Sequence, residues 1–220
     1  MPPEPASGET ETIRKARTAF RQQGGILRMA DALRAGVHRR TLYAMRDAGH
    51  VEALARGLFR LTDSPPLGSP DMVTVQAKVP HGVLYLISAL AFHEMTTQVP
   101  HEVWIAIPRN SEPPRLDYPP IRVVRLSPAP YAAGIETHAI DGMAVKVYSR
   151  EKTLADCFKH RNEIGLDTTL EAVRRYKAQG RVNVDAILQF ARVCRVTQVA
   201  RPYLEALLLP KICPPRSDSD

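Results

Sequence analysis

The sequence is poor in cysteine, in aromatic residues and in long apolar runs, and each shortage excludes something. Its 220 residues include three Cys (Cys157, Cys194 and Cys213), and aromatic side chains make up 6%. Three scattered thiols cannot form a disulfide framework, and the odd count argues further against one. That usage fits a reducing cytoplasm. No Cys-x-x-Cys pair occurs, so a thiolate zinc site is not expected. The longest apolar run, Val83 to Phe92 broken by Ser88, is about half of the ~20 residues a membrane span needs, so no membrane association is expected. The opening Met1-Pro2-Pro3-Glu4-Pro5 lacks the basic and apolar regions of a signal peptide.

Motifs for catalysis are also missing. There is no Gly-rich phosphate loop and no Gly-x-Ser-x-Gly elbow. His93-Glu94 and His101-Glu102 look like fragments of a metal site, but Pro100 separates them and the second falls in a strand pattern. Cys157 beside Phe158 reads as a small buried hydrophobe. Lys152 and Asp156 have the spacing of an i, i+4 ion pair near a helix start, with Glu151 at its positive end. No enzyme, metal or cofactor is expected.

What is present is charge, and it is localised. The chain has 30 Lys+Arg against 23 Asp+Glu, a net +7. Residues 12–61 hold eleven basic side chains and three acidic ones (Asp31, Asp47 and Glu52), so this one segment carries the whole excess. All but one of those bases are Arg, which forks two donors onto phosphate or guanine. Such a local excess is the electrostatic footprint of nucleic-acid binding.

The same segment has an ordered pattern. Thr12 to Gln22 reads as a helix with Ile13, Ala16 and Phe20 inward, stopped by Gly24-Gly25. Ile26-Leu27 reads as a short strand. Met29 to Ala35 reads as a second helix with Ala30 and Leu33 inward. His38 to Ala48 reads as a third, with Leu42 and Met45 inward. Val51 to Leu54 and Leu58 to Leu61 flank Ala55-Arg56-Gly57 as a hairpin. Three short helices followed by a hairpin is the order of a winged helix-turn-helix, whose third helix enters a major groove about 12 Å wide. Arg39 and Arg40 are then candidates for base contacts. Arg28, Arg46 and the hairpin-tip Arg56 are candidates for phosphate contacts, Tyr43 for either, and His38, an unusual helix start, for a phosphate or a weak cap.

Asp63 to Pro70 holds three Pro, one Gly and two Ser and reads as a linker. Beyond it the pattern is mixed. His81 to Met95 reads as an apolar helix, His101 to Ile107 as an alternating strand, and Ile121 to Leu126 as a strand. Thr137 to Ile140 and Met143 to Tyr148 form a hairpin around Asp141-Gly142. Helices follow, with Ser149 and Asn183 as caps, a capping box at Thr168-Thr169-Leu170-Glu171, and a last helix from Tyr203 to Leu209. The expected fold class is α+β: an N-terminal winged helix-turn-helix, then a mixed α/β domain ending in a helical bundle. The expected divisions are a disordered tail 1–11, a DNA-binding domain 12–62, a linker 63–70, a C-terminal domain 71–210 and a disordered tail 211–220.

Two segments resemble a known family. The run Val145-Lys146-Val147-Tyr148-Ser149-Arg150-Glu151-Lys152-Thr153-Leu154-Ala155-Asp156 and its continuation to Asp167 resemble the C-terminal domain of AbiEi-type antitoxins. So does Ala191 to Val196 leading to Arg201-Pro202-Tyr203-Leu204-Glu205-Ala206-Leu207. The segment ending Arg56-Gly57-Leu58-Phe59-Arg60-Leu61 is similar to that family's winged helix-turn-helix. The resemblance spans roughly residues 12–209. It implies a type IV toxin–antitoxin system of the abortive-infection kind, which protects bacteria from phage. The antitoxin represses its own promoter at inverted repeats in double-stranded DNA, and counters a nucleotidyltransferase-like toxin without a stable complex. It aligns His38, Arg39, Arg40, Tyr43 and Arg46 with the recognition helix and Arg56 with the wing. Lys152, Lys159 and Arg161 fall in the segment where the family's basic antitoxin surface is expected. Alternative readings are a ligand-responsive regulator without a toxin partner, or a DNA-processing enzyme.

Overall fold

A computed structural model of the chain describes residues 11–180 and 182–208. Apart from Glu11, the expected tails 1–11 and 211–220 lie outside these residues, as do Cys213 and the end of the expected last helix. The elements run α1 (Glu11–Gln22), β1 (Ile26–Arg28), α2 (Met29–Arg34), α3 (Arg39–Asp47), β2 (Val51–Ala55), β3 (Leu58–Leu61) and α4 (Pro70–Lys78). Next come β4 (Val83–Leu84), α5 (Leu86–Phe92), β5 (Val103–Pro108), β6 (Ile121–Leu126), α6 (Pro128–Ala132), β7 (Ile135–Ile140) and β8 (Met143–Tyr148). Five helices close the described chain: α7 (Arg150–Lys159), α8 (Arg161–Ile164), α9 (Leu166–Ala178), α10 (Val184–Val193) and α11 (Thr197–Leu208). The fold is α+β, with helices first and a helical region last. Two compact units divide it. One comprises Met1–Val83, Glu112–Arg122 and Thr137–Lys146; the other comprises Leu84–Ser111, Val123–Glu136 and Val147–Asp220.

In the first unit, β1, β3 and β2 form a three-stranded antiparallel sheet in that order. Phe59 and Leu61 of β3 join Ala16, Phe20, Leu27, Ala32, Leu42, Met45 and Val51 in one core. Leu58 of the same strand faces the other way, onto Ile26, Val73 and Ala77, with Ile140 and Met143 beside them. Both faces of β3 are therefore covered, and all four of its residues are buried. Arg60 is among them. It donates to Glu52 Oε1 at 2.5 Å, to the Ser64 carbonyl at 2.7 Å and to the Pro65 carbonyl. These bonds hold the Pro-rich segment against the sheet. That segment is also fixed by Asp141, whose carboxylate accepts from the Gly68 and Ser69 amides at 3.0 and 2.9 Å.

Asp141 (φ 50) and Gly142 (φ 79) form the turn between β7 and β8, and positive φ at both positions is what a two-residue hairpin needs. Gly142 lies against Gly24 (φ 69): a Cβ on Gly24 would stand 2.4 Å from the Gly142 carbonyl oxygen. Two glycines thus allow two backbones to touch.

The second unit is built around α7. Seven consecutive side chains from Lys152 to Phe158 are buried, because α5, α9, α10 and α11 all pack on this helix. Ser149 caps it, accepting from the Lys152 amide at 3.3 Å, and Asn183 caps α10, accepting from Ala186 at 3.0 Å. Phe158 stacks on Tyr203 of α11, with centroids 5.8 Å apart. The five-stranded sheet has the order β6-β5-β4-β8-β7, with β4 and β8 parallel through Leu84 and Val147.

Several expectations need correction. Lys152 is not on a surface. It is fully buried, its ammonium 2.5 Å from Asp156 Oδ2 and 4.3 Å from the centre of the Tyr148 ring. The i, i+4 pair read from the sequence exists, but on the inward face of α7, where cation–π contact and the carboxylate replace water. The helix expected from His81 is shorter and preceded by β4: the Tyr85 amide donates to the Trp104 carbonyl at 2.9 Å, and Leu86 takes a left-handed φ of 41° before the helix proceeds. A buried strand and a buried helix show the same apolar run, so periodicity could not separate them. In α2 the inward residue is Ala32, with Met29 packed beside it, while Leu33 is 44% exposed and Ala30 is also exposed. The cause is local: α2 starts directly on β1 with Arg28 as its N-cap, so the strand sets the helix phase. Thr168 and Thr169 form no capping box. They lie buried inside α9, which begins after Gly165, and Thr169 Oγ1 donates to the Gly165 and Cys157 carbonyls at 3.2 and 3.3 Å. The last helix starts at Thr197 and runs through Pro202 rather than starting at Tyr203.

Two stability outcomes follow. Gly24→Ala places a Cβ against backbone at a positive φ, so it should cost about 2 kcal/mol and lower Tm by several degrees in a thermal melt. Lys152→Met leaves Asp156 buried without its cation, and should cost about 3–5 kcal/mol by urea unfolding at neutral pH. Burial already pushes the Asp156 carboxyl up, and Lys152 is the main opposing pull. Without it the native state holds a proton that the unfolded chain releases, so the loss should grow as pH rises above the carboxyl's ordinary value of about 4. The double change Lys152→Met/Asp156→Leu should recover most of the loss.

Candidate nucleic-acid interface

Helix α3 presents two faces. Leu42 and Met45 are fully buried in the first core, while His38, Arg39, Arg40, Tyr43 and Arg46 are exposed. His38 is a true N-cap: its Nδ1 accepts from the Arg40 amide at 3.3 Å. An accepting Nδ1 leaves Nε2–H as a donor. The first turn of α3 has no acidic residue, and Arg39 and Arg40 occupy it. The first turns of α1, α2, α4, α7, α9 and α10 all carry an Asp or Glu. A helix N-terminus is the positive end of the macrodipole, so two cations there are each unfavourable by about 0.3–1 kcal/mol. An anion at that end satisfies the dipole and both side chains at once.

Tyr43 stands edge-on to Phe59 of β3, with centroids 6.3 Å apart, and the Arg46 guanidinium lies 5.1 Å from the Tyr43 ring centre. Arg46 also bonds Asp47 Oδ1 at 2.8 Å. Tyr43 is therefore held against the hairpin, and Arg46 against Tyr43 and Asp47 of its own helix. Arg56 sits exposed at the tip between β2 and β3. The tip is tied down by the Met29 amide, which donates to the Gly57 carbonyl at 2.9 Å, and by Lys78, whose ammonium bonds the Arg56 carbonyl. Burial lowers the Lys78 pKa, and the neighbouring Arg56 charge lowers it further. Lys78 thus adds a second cation at the tip. It lies beyond the Pro-rich segment, outside the basic stretch, and no local signal marked it.

Arg28 is placed differently. Its guanidinium bonds Asp31 Oδ2 at 2.5 Å and the Ala77 carbonyl at 3.4 Å. Burial pushes the Asp31 carboxyl up, but hydrogen bonds from Arg28 and Arg34 outweigh it and hold the pKa below its ordinary value. The ion pairs of the segment are selective. Arg17 and Arg21 meet Asp63, Arg28 and Arg34 meet Asp31, Arg46 meets Asp47, and Arg60 meets Glu52. Arg14 meets Glu11. Among the described residues, Lys15, Arg39, Arg40 and Arg56 have no carboxylate partner. Charge is unmatched at the start of α3 and at the hairpin tip.

The three basic residues of the C-terminal segment do not share a face. Lys152 is interior, Arg161 donates to the Phe158 carbonyl at 3.1 Å at the end of α7, and Lys159 is exposed. Among the described residues no group of three His, Cys, Asp or Glu side chains could hold a metal ion, and no helix is long and apolar enough to cross a membrane.

No curated protein sequence matches the chain at a significant level. Among solved structures the chain is similar to the crystal structure of RV2827C protein from Mycobacterium tuberculosis, at 13% identity and a TM-score of 0.49, covering 93% of this chain and 84% of that one. The stretch from α1 through β3 is the part that sequence comparison identifies: residues 14–62 match the family described as transcriptional regulator, AbiEi antitoxin.

Proposed function

We propose that the first unit binds double-stranded DNA as a winged helix-turn-helix, and that the chain represses its own promoter at inverted repeats. The observation that carries this reading is the pair of unmatched arginines, Arg39 and Arg40, in the first turn of α3. In this reading they reach base edges, His38 and Arg46 reach phosphates beside them, Tyr43 packs at the groove edge, and Arg56 with Lys78 reaches the flanking backbone. Arg28 serves structure first, since its guanidinium is already spent on Asp31 and Ala77. The family match over residues 14–62 supports the regulator reading, and it also supports an antitoxin role. We place that role in a type IV system, acting against a nucleotidyltransferase-like toxin without a stable complex. The proposed site of action is the cytoplasm.

Fluorescence anisotropy with a duplex from the region upstream of the protein's own gene tests the DNA reading. Arg39→Ala/Arg40→Ala should lose at least about tenfold in specific affinity, since each base contact contributes roughly 1–3 kcal/mol. Arg56→Ala should weaken all sequences alike and reduce the salt slope by about one. Arg34→Ala, which removes an exposed arginine already paired with Asp31, should change affinity least. Equal losses for Arg34 and Arg39/Arg40 would reduce the interface to bulk charge. Growth rescue on co-expression with the cognate toxin tests the antitoxin role, and failure of rescue by a well-expressed chain overturns it.

A further inference from the structure

The second unit contains a cavity of about 550 Å³ that the DNA reading does not use. Its lining joins the end of β5 and β6 to the C-terminal ends of α7 and α10. Four basic side chains stand around it: Arg109, Arg125, Lys159 and Arg195. All four are exposed, and none has a carboxylate partner among the described residues. Elsewhere in this unit Arg175 pairs with Glu171 at 2.8 Å and Arg201 with Glu205 at 3.6 Å. Four like charges gathered without a counter-charge raise the local potential and attract an anion.

A second observation is independent of the charge. Tyr85 lines the same cavity, is 1% exposed, and its hydroxyl has no hydrogen-bond partner among the described residues. Leaving such a buried hydroxyl unsatisfied is costly, and a ligand oxygen would satisfy it. Burial also pushes its pKa well above the ordinary range, so it remains a neutral donor. The one carboxylate in the lining, Asp156, does not repel an anion strongly. Lys152 holds it at 2.5 Å, and the Cys194 thiol donates to its other oxygen at 3.2 Å. Near this group burial pushes the Cys194 thiol up to about 12, so it stays protonated. His160 borders the cavity too, with Nδ1 2.9 Å from Glu163 and its ring edge-on to Tyr85. The remaining wall is apolar, from Val124, Leu126, Ala129, Pro130 and Val193.

We propose that this cavity binds a small phosphorylated molecule, its phosphate groups held by Arg109, Arg125, Lys159 and Arg195 with the Tyr85 hydroxyl, and its organic part resting on the apolar wall. Guanidinium forks match phosphate oxygens two at a time, and the number of cations suits a diphosphate better than a single carboxylate. The volume exceeds what the anion alone requires and leaves room for a ring. This site is separate from the DNA reading, and either can fail without the other.

The test is calorimetric titration and thermal shift of the full chain with pyrophosphate, a nucleoside diphosphate and citrate at one fixed ionic strength. Saturable binding of pyrophosphate or the nucleoside diphosphate, tighter than citrate, is expected. Equal affinity of the two phosphates assigns the site to the phosphate groups alone, and tighter nucleoside diphosphate binding assigns the apolar wall as well; both support the proposal. Arg125→Ala/Arg195→Ala should lose about tenfold or more in affinity with an unchanged melting point for the unliganded protein, since neither side chain is buried or paired. Tyr85→Phe should weaken binding severalfold and leave the unliganded protein as stable or more so, because it deletes an unsatisfied hydroxyl. Three results overturn the proposal: no saturable binding at millimolar ligand, affinity unchanged in Arg125→Ala/Arg195→Ala, or binding lost instead in Arg39→Ala/Arg40→Ala, which would assign the anion to α3.

Discussion

The first unit depends on one four-residue strand being covered on both sides. Phe59 and Leu61 of β3 fix the three helices on one face, while Leu58 fixes α4 and the β7–β8 turn on the other. Because β3 is also the middle strand of its sheet, its hydrogen bonds hold β1 and β2 in register. The direction of α3, the position of Tyr43 against Phe59, and the reach of the Arg56 tip all follow from that strand. Arg60 is the polar exception in this buried row. It survives there because Glu52 and two backbone carbonyls take donors from its two terminal nitrogens, while Nε has no partner among the described residues.

On that frame, pairing decides which charges remain available. An exposed ion pair contributes little, about 0–1 kcal/mol, so the pairs of Arg14, Arg21, Arg34 and Arg46 are not stability devices of any size. Their consequence is subtraction. They reduce the field over α1 and α2, where Lys15 alone stays without a carboxylate among the described residues, and leave two adjacent cations at the start of α3 and one at the hairpin tip. The same subtraction explains why a count over residues 12–61 overstates the site: Arg60 and Arg28 belong to the fold. Arg39 and Arg40 put two cations where seven other helices put an acid in the first turn; α5, α6 and α11 carry no acid there either, but no pair of cations. Local rules are broken most often where function requires it.

Much of the first unit could be read from the sequence because its signals are local. Gly24-Gly25 ends α1, Leu42 and Met45 mark the inner face of α3, and Arg56-Gly57 marks the tip between two strands. The sequence could not show that β3 has two covered faces, since Leu58-Phe59-Arg60-Leu61 fits a strand buried on one side or both. It did not announce α4, where Val73 to Ala77 are buried all round and no 3.6-residue stripe appears. Lys78 was missed for the same reason, because its place beside Arg56 is set by tertiary contact. Lys152 was misplaced by its charge. An i, i+4 Lys–Asp pair looks the same in sequence on either face of a helix, and only the packing of four helices around α7 decides which face it takes.

That buried pair also shapes the cavity beside it. Lys152 and Asp156 neutralise each other at 2.5 Å, and the Tyr85 and Tyr148 rings flank the ammonium at 6.0 and 4.3 Å. With Asp156 compensated from below, the cations on the rim have no interior carboxylate to turn to, and they are too exposed to fold inward without losing water. Tyr85 stands between the two networks. Its ring serves the pair and its hydroxyl is left over. An ordinary core would have used Phe at such a position, since the hydroxyl adds a desolvation cost of about 1–3 kcal/mol and finds no bond among the described residues. A group that costs stability and has no partner among the described residues is best understood by what enters the space next to it.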